Sequence, residues 1–213
     1  AMGLAALPVD VMPGNTDPTV RVMPQQPLHP CLLPVSSRFS SLSLVTNPYD
    51  CRLGNGDGSC RIVGHSGQPV QDILRQTDFS DLIEDDAMDT TADSEIKQQK
   101  NPMLCLQALK KTFEWGHIAP TAPDTLPCYP LTDSDPFIMP SINSRENNSN
   151  NQEDDNNAPH ILFAGNQPCF ASEIIEKDSY KTVLVCVPVF RETGTVVLVN
   201  MRTLEATTVD FQI

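Results

Sequence analysis

Tyr180-Lys181-Thr182-Val183-Leu184-Val185-Cys186-Val187-Pro188 is followed by Thr195-Val196-Val197-Leu198-Val199-Asn200-Met201 and by Thr207-Thr208-Val209-Asp210-Phe211. All three runs are rich in β-branched residues. Short turns at Arg191–Gly194 and Arg202–Glu205 separate them, which predicts an antiparallel meander. Just upstream, His160–Ala164 is a compact apolar run that stops at Gly165 and predicts another strand.

Working towards the N-terminus, Asn101 can cap a helix that opens with Pro102 and carries Met103, Leu106, Leu109 and Phe113 at three- and four-residue spacing. Trp115 ends this helix; core packing is the expectation for it, with a partner-binding anchor as the alternative. A shorter helix is predicted from Pro69, with Val70, Ile73 and Leu74 on one face. Cys60–Val63 and the alternating Leu42–Thr46 predict strands, the first preceded by a glycine-rich turn at Gly54–Gly58. Met23–Pro34 contains Pro24, Pro27, Pro30 and Pro34, so it is expected to run extended over a surface. Leu7–Met12 reads as a short buried strand ending in the turn Pro13-Gly14-Asn15-Thr16-Asp17-Pro18. Helices and strands mixed in this order predict an α/β (α+β) layered sandwich.

The chain has 213 residues, 39% of them hydrophobic, which suits one sizeable domain. Its longest apolar runs fall far short of the roughly 20 residues of a membrane helix, and no secretory leader is read at its start. Neither a membrane partner nor secretion is expected. The formal net charge is −13. Residues 77–99 hold eight carboxylates against Lys97, and residues 141–157 hold four against Arg145. The body is therefore nearly neutral, and two acidic inserts, at about 84–100 and 141–158, are expected to be disordered. No basic stripe is present to reward direct binding of nucleic-acid phosphates. Seven cysteines with no Cys-x-x-Cys pair argue for reduced thiols in a nuclear or cytosolic protein.

Two loops carry chemical interest. Pro13-Gly14-Asn15-Thr16-Asp17 follows a strand and resembles the Gly-Asn-His-Asp/Glu loop of calcineurin-like metallophosphoesterases. Phe163-Ala164-Gly165-Asn166-Gln167-Pro168 resembles their Gly-His-x-His loop. Thr16 stands where a histidine is required, and Asn166 and Pro168 replace two more. A threonine hydroxyl is no base near neutral pH, and proline offers no side-chain ligand. Asn15 and His65 are what remains of a ligand set, too few to hold a metal pair. Asp17 completes the vestige. No catalytic residue, metal or cofactor is expected.

Longer blocks carry a wider likeness. Pro8–Gly14, Asp17-Pro18-Thr19, Pro24-Gln25-Gln26-Pro27-Leu28-His29-Pro30-Cys31, Leu44–Tyr49, Gly64-His65-Ser66-Gly67-Gln68, His117–Leu126, Cys128-Tyr129-Pro130, Asp135–Ile138 and Leu198–Arg202 resemble the B-subunit family of eukaryotic DNA polymerases alpha, delta and epsilon. The small regulatory subunits of the delta enzyme are the nearest pattern, on the Gln25–Cys31 and Ala119–Leu126 blocks. The sequence departs from that pattern at His65, where threonine is usual, and at Pro127, where glycine is usual.

The resemblance implies the C-terminal part of a metallophosphoesterase-like layered sandwich, residues 1–213, with no catalysis of its own. A preceding oligonucleotide/oligosaccharide-binding-fold domain is expected to lie outside this chain. It further implies a nuclear scaffold that joins the cysteine-rich C-terminal domain of the polymerase delta catalytic subunit to a further accessory subunit, touching DNA only through the holoenzyme. The proline-stiffened block offers candidate interface residues His117, Pro120, Thr121, Pro123 and Asp124, with Trp115 beside them. The alternatives are the equivalent accessory chain of polymerase alpha or epsilon, and, in another class, an active metal-dependent phosphoesterase or nuclease.

Overall fold

The apolar run at 180–188 becomes a central strand covered on both faces. In the computed structural model, residues 7–54, 59–76, 101–130, 134–139, 158–177 and 180–212 are described. The two acidic inserts therefore lie outside the described residues, apart from Ala158 at the end of the second. So does most of the glycine-rich turn.

The chain order is β1 (Val9–Val11), β2 (Leu42–Leu44), β3 (Tyr49–Leu53), β4 (Cys60–His65), α1 (Gln68–Gln76), α2 (Pro102–Trp115), β5 (Ile161–Gln167), β6 (Ala171–Lys177), β7 (Tyr180–Pro188), α3 (Phe190–Thr193), β8 (Thr195–Val199) and β9 (Ala206–Asp210). Five strands form a mixed sheet in the order β3-β4-β5-β7-β6. Its centre is parallel: Ile62 lies opposite Ile161, and Leu162 opposite Leu184. Both edges are antiparallel, β3 on β4 and β6 on β7.

One face of this sheet presents Val63, Leu162, Leu184 and Cys186 to Val70 and Ile73 of α1 and to Leu109 and Phe113 of α2. The other face presents Ile161, Val183 and Val185 to Val197 and Val199 of β8 and to Leu204. The layers are thus helices, mixed sheet and a two-stranded ribbon. Strands buried on both faces read as unbroken apolar runs, which is why Val183–Cys186 shows no alternation.

That arrangement corrects the expected meander. β7 and β8 do not pair; among the described strands β8 pairs with β9 alone, as a separate hairpin. The short helix α3 ends at Gly194 in the left-handed region, φ 67°, and this turn carries the chain off the sheet. The antiparallel neighbour of β7 is β6, a strand that the sequence analysis does not single out and that carries Glu173, Glu176 and Lys177. Charged residues are what an edge strand tolerates.

Helix α2 forms as its caps require. Asn101 Oδ1 accepts the Met103 N–H at 3.0 Å, and Gly116, φ 68°, returns its N–H to Phe113. Asn101→Ala is expected to lower stability by ~1 kcal/mol, read as a shift of the denaturant midpoint at constant slope. The buried stripe also includes Leu104, Cys105 and Ala108, whereas Met103 is exposed. Trp115 is 55% exposed, against the expectation of core packing. It lies two residues past the fully buried Phe113, about 200° around the helix and so on the opposite face.

β1 and β2 pair in parallel, Val9 opposite Leu42. The proline-rich stretch between them is not simply extended. It closes two 3-10 turns, at Pro30–Leu32 and Ser36–Arg38. Pro30 heads the first, where its missing N–H costs nothing.

Candidate functional site

β4 and β5 run side by side and end together, so the loops at their C-terminal ends meet; ligands of open α/β sheets are bound at such places. The turn after β1 joins them. Gly14 N–H donates to Asp17 Oδ2 at 2.7 Å, fixing that turn. A Cβ placed on Gly14 would lie 3.4 Å from Asn166 Nδ2 and 3.9 Å from the Ser66 Cβ. Asn166, in the left-handed region at φ 52°, donates from Nδ2 to the Ser66 carbonyl at 2.8 Å. The structure thus brings Gly14, Asp17, Ser66 and Asn166 together. Asn15 and Thr16 are exposed at the tip of their turn, and Pro168 lies past the end of β5.

A buried lattice of neutral groups fills the space behind. Asn47, fully buried, donates to Gln25 Oε1 and to Ser66 Oγ, each at 2.7 Å, and accepts the Ser66 N–H at 3.1 Å. Gln68 donates to Gln25 Oε1 at 2.9 Å, and Gln25 Nε2 reaches the Val20 and Gly14 carbonyls. This ties the turn after β1 to the start of α1. Sequence reasoning does not single out Gln25, Asn47, Ser66, Gln68 or Gln167 as site residues. The first two are 22 positions apart, and no local pattern announces that their amides meet.

His65 also turns inward. Its Nδ1 accepts the Gly67 N–H at 3.0 Å, so the ring proton sits on Nε2, a buried atom with no hydrogen-bond partner among the described residues. Amides, hydroxyls and this shielded ring neither give nor take protons readily at neutral pH. Among the described residues no three His, Cys, Asp or Glu side chains gather closely enough to hold a metal ion.

A family model for the B subunits of DNA polymerases alpha and epsilon matches residues 3–172. The chain belongs to this family. Among curated relatives, DNA polymerase delta subunit 2 of Drosophila melanogaster is 39% identical over 209 residues, covering 98% of this chain and 38% of that protein. The DNA polymerase delta small subunit of Oryza sativa is 33% identical over 98% of this chain and 39% of its own length. That of Saccharomyces cerevisiae is 32% identical over 99% of this chain and 40% of its own length. The chain spans about two fifths of the length of the curated relatives it matches.

In this member of the B-subunit family, the block at 117–126 is a self-supporting loop. His117 Nδ1 accepts the Ala119 N–H, and Nε2 lies 3.1 Å from Asp135 Oδ2. Thr121, half-buried, receives the Thr125 N–H at its carbonyl, and Thr125 Oγ1 donates to the Asp72 carboxylate on α1. Pro120 is half-buried, while Pro123 and Asp124 are exposed. Of the candidate interface residues, then, Trp115, Pro123 and Asp124 face outward, and His117 is engaged in holding the loop.

Burial lowers the His65 pKa to about 3, against about 6.5 in an unfolded chain. The unfolded state therefore takes up a proton first. The contribution is complete above pH 6.5 and is lost as pH falls from there towards 3, at up to about 1.4 kcal/mol per pH unit. Urea midpoints measured between pH 7.5 and 4.5 are expected to fall more steeply in the native protein than in His65→Gln. Parallel profiles would contradict this role for the ring.

Proposed function

We propose that this chain is part of a non-catalytic accessory subunit of DNA polymerase delta. In this reading, residues 1–213 are the C-terminal part of an inactivated phosphoesterase-like domain, which in the complete subunit lies beside an oligonucleotide/oligosaccharide-binding-fold domain. The subunit acts in the nucleus, in replication and repair synthesis. It joins the cysteine-rich C-terminal domain of the catalytic subunit to a further accessory subunit and meets DNA through the assembled enzyme. Trp115, Pro123 and Asp124 are the outward-facing members of its candidate interface, with His117, Pro120 and Thr121 shaping the loop that presents them.

One observation carries the reading. At the strand ends where a metallophosphoesterase would need imidazoles and carboxylates, the space is filled by the lock of Gln25, Asn47, Ser66 and Gln68. Such a lattice is suited to rigidity, because satisfied buried polar groups specify one arrangement of the loops they join. The relatives named as delta subunits favour delta over alpha and epsilon.

The test is co-expression of the chain, restored to full length, with the cysteine-rich C-terminal domain of its delta catalytic subunit, followed by gel filtration. A stoichiometric complex is expected. Two separate peaks from two folded chains would remove the delta assignment and direct the same test to the alpha and epsilon catalytic chains. Two tightly bound manganese, iron or zinc ions per full-length chain would favour the phosphoesterase reading instead.

A further inference from the structure

The hairpin of β8 and β9 is apolar on both faces. Val197 and Val199, with Ala206 of β9, pack on the mixed sheet. The residues that alternate with them point the other way. Val196 lies opposite Val209 there, and Leu198 opposite Thr207. Phe211 continues this outer row, its N–H donating to the Gly194 carbonyl at 2.9 Å, and its ring meets that of Phe190 edge-on at 6.3 Å. None of these six residues is charged. The five large apolar ones are between 36% and 54% exposed, so no described element covers them.

An antiparallel strand with one face in water alternates, as β3 does by placing Asp50 and Arg52 outward. Thr195-Val196-Val197-Leu198-Val199 does not alternate. Its unbroken run is the pattern already met in β7, a strand covered on both faces. A two-stranded ribbon is also marginal unless something packs against it.

Two facts say what covers the outer row. The chain spans about two fifths of the length of its relatives, so the larger part of such a subunit lies outside residues 1–213, joined to them by the same backbone. The row itself offers one threonine hydroxyl and no charge. Surfaces that meet a separate, dissociable partner are little more apolar than the rest of a protein, whereas permanent interiors have this composition.

We propose that the outer face of the β8–β9 hairpin is an intramolecular seam, buried by an apolar face of the part of the same subunit that lies outside residues 1–213. The hairpin is then an interior layer of the complete subunit and is closed to other polymerase chains. The proposal rests on the reading of this chain as part of a longer accessory subunit.

The experiment is hydroxyl-radical footprinting of the native full-length subunit, alone and dilute, read residue by residue by mass spectrometry against a free peptide of residues 190–211. Oxidation of Leu198 and Phe211 is expected to be at least about tenfold slower in the subunit than in the peptide. Rates within about threefold of the peptide would overturn the seam. Slow oxidation that appears only after the catalytic chain or a further accessory chain is added, or only as the subunit is concentrated, would overturn it equally, by assigning the face to a partner or a second copy. Leu198→Thr gives an independent readout, because a β-branched threonine is at home on a solvated strand. Under a cover its lost packing is expected to lower the melting temperature of the full-length subunit by about 4 °C, and an unchanged melting temperature would count against the seam. Neither measurement uses the catalytic chain, so a slow footprint together with no polymerase complex would remove the delta reading and leave the seam standing.

Discussion

Gly67→Ala is expected to cost ~3 kcal/mol or more and to lower Tm by about 10 °C. Two penalties coincide. Gly67 sits at φ 107°, where an L side chain costs ~1–2 kcal/mol. Its Cβ would also fall 2.3 Å from the Gly165 carbonyl oxygen and 2.9 Å from Gln167 Nε2. The first of these is backbone of β5, already accepting the Gln167 amide at 2.8 Å, so it cannot swing aside. Relief requires prising the loop after β4 away from β5, where the three loops meet. Gly14→Ala is the matched control: its nearest contact is 3.4 Å, from a side-chain amide, and its cost is expected to stay below ~1 kcal/mol. Equal midpoints for the two variants would refute the steric argument.

The second large effect is at Asn47. Asn47→Ala strands the Ser66 N–H and removes a donor from Gln25 Oε1, both beside fully or nearly fully buried residues. Gln68 still donates to Gln25 Oε1, so the stranded group is the Ser66 N–H, at ~1–3 kcal/mol; with two further hydrogen bonds of Asn47 lost at ~1 kcal/mol each, the loss is expected to be ~3–5 kcal/mol. Asn47→Asp offers no escape. It keeps an acceptor for Ser66 but turns a carboxylate oxygen towards the Gln25 oxygen, with no basic group in the lattice to balance it. A double-mutant cycle with Gln25→Ala separates a lattice from a set of independent bonds. The coupling is expected to exceed ~1 kcal/mol, because the bond between the two amides is lost in either single variant and can be lost only once in the double. Additive losses would mean that the amides act singly and that the lock is no unit.

If the subunit works as a platform, its loops must hold one shape when a partner arrives, and the same variants should loosen the complex as they lower stability. A metal-dependent catalyst would be most sensitive elsewhere, at charged ligands.

Much of the architecture is legible in the chain itself. The spacing of Leu106, Leu109 and Phe113 between Asn101 and Gly116 determines α2, because the capping atoms and the buried stripe are local features. The apolar runs at 161–167 and 180–188 announce strands, and that Thr16, Asn166 and Pro168 are not imidazoles is a matter of residue identity alone. The family blocks are likewise legible, since they need no coordinates.

Other features are decided only by the tertiary structure. Nothing local distinguishes a strand that pairs with its sequence neighbour from one that pairs with a distant strand, so β7 reads in sequence as part of a meander with the strands after it. Asn47 and Gln25 become a lock only when the chain between them returns, and His65 becomes a neutral buried ring only once the chain has packed around it. That no described element covers Leu32 and Val35 is a property of the folded surface. Local hydrogen bonding and periodicity act over a few residues and can be read in order. Burial, long-range pairing and the meeting of distant polar atoms depend on where the whole chain goes, and that is set by packing.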